Sequence, residues 1–161
     1  MRGAPRASRP HMPGYGILPP KGENDLLPWQ WAEERLVQSR NYWVATVRPD
    51  GRPHLMAVWG VWHGAAFWFS TGTESVKARN LAANPRCSIS TERGDEAVVV
   101  EGEVTRVTDP GALDEVYEAY RAKYDWPMDG EPFYVLEPSV AFGFIEHADQ
   151  FSSTATRWAF E

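Results

Sequence analysis

Hydroxyl and cationic side chains are concentrated in residues 70–81, which read "STGTESVKARNL". Thr73 or Ser75 can cap a helix, because a side-chain oxygen there accepts hydrogen bonds from the N–H groups of the first turn. Lys77 and Arg79 follow in the opening turns, where the helix dipole is positive and acidic residues are normally favoured. A bound anion would turn this unfavourable placement into a favourable one. The alternative is that both cations point into solvent, at a cost of a few tenths of a kcal/mol.

Small residues directly before this helix add to the chemistry of an anion site. Ser70 and Thr71 bring two further hydroxyl groups close to Thr73 and Ser75. Gly72 has no side chain and so allows a ligand to approach the backbone. Free N–H groups, hydroxyls and cations at one helix start are the groups that bind phosphate in proteins. The segment therefore predicts a phosphate site.

The strand beside this segment predicts what the phosphate would belong to. Residues 54–59, "HLMAVW", are expected to pair with residues 66–71, "AFWFST", through a hairpin. That pairing would bring Met56, Val58 and Trp59 beside the helix start. A phosphate anchor next to an apolar, aromatic strand suits an amphipathic cofactor that has one anionic end and one flat ring. The alternative is that this strand simply belongs to the core.

Other functional patterns give little support to hydrolase or metalloenzyme functions. The chain has no G-x-G-x-x-G after a strand, no P-loop, no H-E-x-x-H and no G-x-S-x-G. Cys87 lies in an alternating strand without a base nearby, which favours a structural thiol over a nucleophile. His54 and His63 follow no metal-ligand spacing, and residues 146–149 are explained equally well by a solvated strand end. No metal site and no catalytic residue are predicted.

Composition limits the classes of protein further. The chain has 161 residues, 43% of them hydrophobic, which is enough for one domain with an ordinary core. A net charge of −6 argues against a protein that coats nucleic acid. A single cysteine excludes an intrachain disulfide and favours a reducing compartment. No apolar run approaches the roughly 20 residues of a membrane helix, and no signal peptide is evident, so we expect a cytoplasmic protein.

The order of elements predicts the architecture. Residues 1–27 are rich in proline and glycine and are read as an extended arm, either disordered or docked on the body or on a second subunit. Residues 28–161 are read as one domain, with a first helix that begins at Pro28 and a clear helix over residues 110–124 that Asp109 caps. Strands joined by hairpins occupy most of the remainder, without regular strand–helix alternation. This predicts an antiparallel barrel of about six strands with helices at its margins.

Two strands carry more specific expectations. Residues 54–62, "HLMAVWGVW", are apolar on both faces, which predicts a central strand that is covered on each side. In the strand "EAVVVEGEVTRVTD", Val98, Val100 and Val104 share one face with Gly102. A glycine at such a position is typical of a β-bulge or of a close approach between backbones.

In combination these motifs resemble one family. Residues 40–108 carry the pattern through "ATVRPDGRPHLMAVWGVW", "FWFSTGTESVKARNLAANPRCSIS" and "VVVEGEVTRVTD", and it returns in the C-terminal "STATRWAF". The chain resembles the pyridoxamine 5'-phosphate oxidase-like superfamily of flavin- and deazaflavin-binding proteins. The resemblance implies a mainly β fold, a six-stranded antiparallel split β-barrel, and a homodimer with two cofactor sites along the subunit interface.

The resemblance also implies site residues. Lys77 corresponds to the phosphate-binding lysine, residues 56–59 to the strand that runs along the ring, and Arg157 and Trp158 to groups that reach the cofactor, including that of a partner subunit. The implied cofactor-binding set is Met56, Ala57, Val58, Trp59, Ser70, Thr71, Ser75, Val76, Lys77, Asn80, Arg157 and Trp158.

The choice of cofactor also depends on resemblance. FMN-using members carry an additional basic residue on the strand that corresponds to "HLMAVW", where this chain has only His54. The "KARNL" form is similar to the actinobacterial branch that uses F420. The acidic tail of F420 could contact Arg79, Arg86 or the basic arm. The implied reaction is hydride transfer from the reduced deazaflavin to an unsaturated or conjugated small molecule. The alternatives are an FMN-dependent oxidase or reductase, and a non-catalytic binder of flavin, haem or another tetrapyrrole.

Overall fold

Nine strands and four helices make up the described part of the chain, residues 3–22 and 25–161 of a computed structural model. In chain order they are β1 (Arg6–Ser8), α1 (Trp29–Gln38), β2 (Tyr42–Val47), β3 (Pro53–Val58), β4 (Val61–His63), β5 (Ala66–Phe69), α2 (Val76–Ala83), β6 (Arg86–Thr91), β7 (Glu96–Val107), α3 (Pro110–Tyr124), β8 (Phe133–Ile145), α4 (Phe151–Thr154) and β9 (Thr156–Ala159).

All strand pairs are antiparallel. The main path of the sheet runs β1-β9-β8-β7-β6-β2-β3, while β5 pairs with the first half of β8 and β4 pairs with β5. The sheet does not close. Although β3 and β4 follow each other in the chain, they do not pair with each other in the described residues. The mainly β, antiparallel split-barrel architecture with helices at its margins is therefore confirmed. The strand number exceeds the expected six, since short strands such as β1 and β4 were not anticipated.

The core follows from the two-residue period of the strands. Val44, Ile89, Val100, Ala141 and Trp158 lie opposite one another on five neighbouring strands. None of them is more than 1% exposed. Side chains on alternate positions point to the same face of a sheet, so this row forms the inner face. Ile89 and Val100 come from strands that the sequence predicts to alternate. The inward face of β7 is the face that carries Val98, Val100 and Val104 in that prediction.

Gly102 lies at the predicted bulge. The register between β7 and β8 shifts between Glu101 and Gly102. A Cβ atom at this position would clash with the carbonyl oxygen of Glu137 on β8. The expectation of a bulge with close backbone approach is therefore confirmed, and it explains why no larger residue stands there.

Two expectations for the strand after the first hairpin are wrong. β3 is not central but forms an edge of the sheet, with Leu55 58% and Met56 46% exposed. It pairs with β2 and not with β5, whose hairpin partner is β4. The tight turn at Gly51, where φ is 86°, returns the chain directly onto β2, as the hairpin residues 48–53 predict. The strand then ends before Gly60, which packs closely against the ring of Phe67.

The N-terminal arm is docked on the body over its described residues. β1 pairs with β9, and the Arg9 guanidinium donates to the carbonyl oxygens of Leu18 and Ala155, both at 2.9 Å. The division of the chain into an arm of residues 1–27 and a domain of residues 28–161 stays a prediction. In the described residues, no helix is long and apolar enough to cross a membrane.

The two larger helices lie at the margins of the barrel as predicted. Ala32 and Leu36 of α1 are fully buried, although Pro28 precedes the first turn instead of opening it. The Asp109 carboxylate accepts a hydrogen bond from the Ala112 N–H at 3.2 Å and so caps α3. The apolar face of α3 packs over Val61 of β4. This places the C-terminal end of α3 next to the break between β3 and β4.

Candidate functional site

The start of α2 has the features of an anion site. The Ser75 hydroxyl accepts from the Ala78 N–H at 3.2 Å and receives a hydrogen bond from the Thr71 hydroxyl at 3.1 Å. Ser75 is therefore the cap, one of the two candidates that the sequence offers. In the described part of the chain, nothing accepts hydrogen bonds from the N–H groups of Val76 and Lys77. Two open N–H groups and one ammonium group thus lie at the positive end of the helix.

The start of β3 lies against this helix and adds a further polar group. Asn80 of α2 donates to the Thr46 hydroxyl at 3.0 Å, and Thr46 is directly opposite His54 in the β2–β3 pair. The His54 Nδ1 atom is buried without a hydrogen-bond partner in the described residues. A buried polar atom without a partner is rare in proteins and indicates a place for a ligand or water.

Electrostatics at this end of the site favour an added negative charge. Burial lowers the pKa of Lys77. Burial also lowers the pKa of His54, and the positive charges of Arg48 and Lys77 lower it further. Among the described residues, no carboxylate forms an ion pair with Lys77 or Arg48. A phosphate would relieve this repulsion, so the residues present fit the anionic end of a cofactor.

The rest of β3 leads away from this cationic end as an edge strand. One side of its backbone pairs with β2, and the other side has no strand partner in the described residues. Met56 and Ala57 are exposed, and Val58 is half-buried. With a rise of about 3.3 Å per residue, His54 and Val58 are about 13 Å apart. An open strand edge with apolar side chains can lie along a flat ring whose phosphate is bound at the other end.

The end of β3 is held by a hydrogen-bond cluster that the sequence did not reveal. The Gly60 N–H donates to the Tyr124 hydroxyl at 2.9 Å, and the Gly60 carbonyl accepts from Lys123 Nζ at 2.9 Å. Lys123 Nζ also donates to the Tyr42 hydroxyl at 2.7 Å, and that hydroxyl donates to the Leu36 carbonyl oxygen. We call these contacts the Gly60 clamp. They join α1, β2 and α3 to the break between β3 and β4.

Burial controls the titration of the Gly60 clamp. It lowers the pKa of Lys123 to about 8, an effect that Glu92 opposes and Arg40 reinforces. It raises the pKa of Tyr124 to about 12, and it raises the pKa of Tyr42 as well. Both phenols therefore stay protonated near neutral pH. Helical spacing predicts that Tyr124 is buried, but no sequence signal distinguishes Lys123 from a solvated helix lysine.

Trp59 lies directly on the Gly60 clamp. Its ring stacks on Tyr124 at a centroid distance of 4.6 Å with an interplanar angle of 8°. Tyr124 in turn donates from its hydroxyl to the Arg40 carbonyl oxygen at 2.6 Å. The backbone and the ring of Trp59 are therefore both fixed in place. The open strand edge of residues 56–59 ends at a rigid aromatic group.

The remaining predicted site residues fall into two groups. Ser70 donates to the Pro132 carbonyl oxygen at 3.0 Å, and Asn80, only 3% exposed, uses its amide on Thr46. Both therefore have structural hydrogen bonds beside the helix start. Arg157 and Trp158 lie on β9, which four strands separate from β3, so one chain does not bring them to the same place. Trp158 is fully buried and donates to the Leu27 carbonyl oxygen at 3.2 Å, whereas Arg157 points to the outer face. Cofactor binding by each of the twelve residues stays a prediction.

The other titratable groups that the sequence analysis considered have ordinary environments. Cys87 is buried, and burial raises the pKa of its thiol to about 12, as suits a structural thiol. His63 pairs with Glu115 at 2.9 Å on the surface. In the part of the chain that the structure describes, no three side chains of His, Cys, Asp or Glu come together as a metal site.

Known proteins are similar to this chain in fold and in part of the sequence. Residues 30–142 match the family model described as pyridoxamine 5'-phosphate oxidase. A solved structure described as an F420 reductase is 30% identical over 68% of this chain and 94% of its own, with a TM-score of 0.57. A conserved hypothetical protein from Mycobacterium tuberculosis is 26% identical over 79% of this chain and 85% of its own, with a TM-score of 0.59.

A more distant structure shows the fold alone. It is a pyridoxamine 5'-phosphate oxidase-related, FMN-binding protein from Nostoc punctiforme, 18% identical over 84% of this chain and 98% of its own, with a TM-score of 0.55. No functionally curated protein matches the chain in sequence.

Proposed function

Because the chain belongs to the pyridoxamine 5'-phosphate oxidase family, we propose that it is an F420-dependent oxidoreductase. It transfers a hydride from the reduced deazaflavin to an unsaturated or conjugated small molecule. The observation that carries the proposal is the start of α2, where two open N–H groups and Lys77 lie near His54, whose Nδ1 atom has no hydrogen-bond partner in the described residues. These groups fit a phosphate.

In this proposal the two ends of β3 hold the two ends of the cofactor. Ser75, Val76 and Lys77 hold the phosphate, and the exposed edge of residues 56–59 runs along the ring. The cofactor, when bound, supplies the hydride chemistry. The protein residues bind, orient and shield the ring, and the fixed backbone at Gly60 keeps the end of the ring site in one position. No side chain of this site stands out as an obligatory acid or base, so the proton would come from solvent or from a nearby tyrosine or histidine.

Two observations support F420 over FMN. His54 is the only basic residue in the stretch 54–59, and burial together with the charges of Arg48 and Lys77 lowers its pKa, so its charged form is disfavoured on a strand that carries no arginine or lysine. Arg79 and Arg86 are exposed near α2 and could meet an acidic cofactor tail. The 30% identity to an F420 reductase agrees with this choice. FMN is the alternative that the experiment below separates.

The outer face of the sheet supports the homodimer part of the proposal. Trp43, Val47 and Leu55 are exposed there on β2 and β3, and Trp43 shares a cross-sheet row with Arg157. Contiguous exposed apolar side chains are typical of protein interfaces. In a dimer formed through this face, Arg157 would reach the cofactor site of the partner. Sedimentation equilibrium of wild type and Leu55→Asp tests this, with dimer and monomer as the expected results.

A parallel titration of the apo-protein with F420 and FMN, followed by fluorescence, tests the cofactor. We expect tighter binding of F420, and Lys77→Ala should weaken it about 10- to 100-fold, since charge-assisted phosphate contacts contribute about 1.5–3 kcal/mol. Arg121→Ala removes an exposed cation from α3 and should leave the affinity unchanged. Tighter binding of FMN would contradict the choice of F420, and an unchanged affinity in Lys77→Ala would contradict the phosphate site. Binding of haem in place of both would favour a non-catalytic function.

A further inference from the structure

An exposed tryptophan lies beyond the end of α3, next to the aromatic residue that closes the proposed ring site. Trp126 is 55% exposed and follows Asp125, whose left-handed backbone ends the helix. The Trp126 ring lies 6.5 Å from the Trp59 ring at an interplanar angle of 71°. Two indole rings at nearly right angles form a corner that can contact a flat molecule on a face and along an edge.

A cation borders this corner. The Arg40 guanidinium lies 5.6 Å from the Trp59 ring centroid and 5.4 Å from that of Tyr124, beside the stacked pair. Among the described residues, no carboxylate forms an ion pair with it. Glu92 is close, but it accepts from the backbone N–H of Arg40 at 3.0 Å and from the Asn41 amide at 3.2 Å. The guanidinium donors are therefore available to a ligand.

The Gly60 clamp fixes the Trp59 side of the corner before any ligand binds. Trp59 is stacked on Tyr124, and Tyr124 is held by the Gly60 N–H and the Arg40 carbonyl oxygen. A ligand that binds to groups already in position loses less free energy to the ordering of the protein. The Trp59 side of the corner is thus preformed.

We propose that Trp126, Trp59 and Arg40 form the substrate subsite, and that it takes a planar, conjugated carboxylic acid. The flat part of such a molecule contacts the indole rings, and its carboxylate accepts hydrogen bonds from the guanidinium, a pairing for which arginine is well suited. Arg40 disfavours cationic aromatic ligands, which bare indole rings would otherwise accept. The inference rests on the proposed function, because the cofactor ring would end at Trp59 and present its hydride donor to this corner.

Equilibrium binding of three probes separates the contributions of charge and of planarity. We would measure, by calorimetry on both the apo-protein and the F420-loaded protein, the Kd values of 2-naphthoate, 2-naphthamide and cyclohexanecarboxylate. Wild type should bind 2-naphthoate about tenfold more tightly than the neutral amide, as one charge-assisted contact allows. It should also bind 2-naphthoate about fivefold more tightly than the non-planar acid, as one aromatic contact allows.

Each preference should disappear with its own variant. Arg40→Gln should bind the acid and the amide equally, and Trp126→Ala should bind the planar and non-planar acids equally. Arg121→Gln removes an exposed charge from α3, and Tyr15→Ala removes an exposed ring from the arm, so both should keep the wild-type pattern. Equal Kd values for the three probes in wild type, or preferences that persist in Arg40→Gln and Trp126→Ala, would overturn the proposal.

The same measurements separate this inference from the proposed function. If F420 does not bind but the apo-protein shows both preferences and loses them in the variants, the cofactor assignment fails and the subsite stands. If F420 binds through Lys77 while both preferences are absent, the subsite fails alone. In the loaded enzyme, Trp126→Ala should raise KM for a conjugated acid and leave the Kd of F420 unchanged.

Discussion

The two ends of β3 are built in opposite ways. At its start, His54 Nδ1 has no hydrogen-bond partner among the described residues, and Lys77 nearby has no carboxylate partner there. At its end, both polar groups of the Gly60 peptide are hydrogen-bonded, and Lys123 and Tyr124 provide the partners. One end lacks polar partners, and the other end is complete within the chain.

This difference shows at which end of β3 a ligand would supply the missing polar partners. A buried polar group without a partner costs about 1–3 kcal/mol, a free energy that a ligand can recover when it binds. A network whose members are all satisfied stabilises the fold without any ligand. We therefore expect substitutions at the start of β3 to change binding more than stability, and substitutions at the end of β3 to change stability.

The largest effect on stability is expected for Tyr124→Phe. The variant leaves the Gly60 N–H and the Arg40 carbonyl without their partner, which should lower the free energy of unfolding by about 2 kcal/mol. Urea unfolding followed by tryptophan fluorescence measures it. Tyr120→Phe is the matched control, because the Tyr120 hydroxyl makes no hydrogen bond with the described residues, and it should lose far less. Equal losses in the two variants would show that the Gly60 clamp is not what stabilises this end.

A smaller loss is expected for Ser75→Ala, which removes the cap of α2. The Ala78 N–H loses its acceptor, and a lost cap costs about 1 kcal/mol. Ser75→Asp keeps a capping oxygen but adds a negative charge beside Lys77. It should therefore retain stability and lose F420 affinity in the fluorescence titration. Loss of stability in Ser75→Asp to the level of Ser75→Ala would argue against separate capping and binding roles.

Lys77→Met should change stability in the opposite direction from the other substitutions. Removal of a cation from the positive end of α2 should raise the free energy of unfolding of the apo-protein by about 0.3–1 kcal/mol. The lowered pKa of Lys77 agrees, because burial disfavours its charge. Thermal and urea unfolding of the apo-protein measure this effect. Destabilisation by more than about 1 kcal/mol would mean that the fold itself needs this lysine, contrary to the comparison of the two ends.

The last prediction is a pH dependence from Lys123, which is partly shielded from solvent. Burial lowers its pKa from 10.5 to about 8 in the folded protein. Between these values the unfolded chain holds a proton that the folded chain has released, so stability should rise with pH there. The neutral amine still has two N–H donors for Gly60 and Tyr42. Below about pH 8, Lys123 is protonated in both the folded and the unfolded chain, so stability no longer changes with pH through this group.

A comparison with Lys123→Met isolates that pH dependence. Between about pH 7.5 and about pH 9.5, the free energy of unfolding measured with urea should increase more for wild type than for the variant. Cys87 and the tyrosines titrate at their ordinary pKa values in both unfolded chains, so their contributions cancel in the difference. Identical changes in the two proteins would contradict a buried, proton-releasing Lys123.

Local chemistry explains which expectations were correct. Ser75 caps α2 and Asp109 caps α3, because capping depends on a side chain and the backbone a few residues away. Gly102 lies at a bulge and Val100 on the inner face, because the two-residue period of a strand is visible in the sequence. The helix start with Lys77 was likewise visible in one segment. Each of these features depends on residues that are close together in the chain.

The features that were missed depend on residues far apart. The expected pairing of β3 with β5 was wrong because the apolar residues 54–62 do not show where the strand breaks, and the packing of Gly60 against Phe67 decides it. The Gly60 clamp joins residues 36, 42, 60, 123 and 124, which only the packing of α1 and α3 brings together.

By itself the sequence determined the local structure: a capped helix start with a cation in its opening turn, alternating strands, and an antiparallel β architecture. The tertiary structure alone decided that β3 is an exposed edge, that its start lacks partners and that its end is complete. The physical reason is range. Capping and strand periodicity act over a few residues, whereas burial, strand pairing and the satisfaction of buried polar groups depend on contacts between distant parts of the chain.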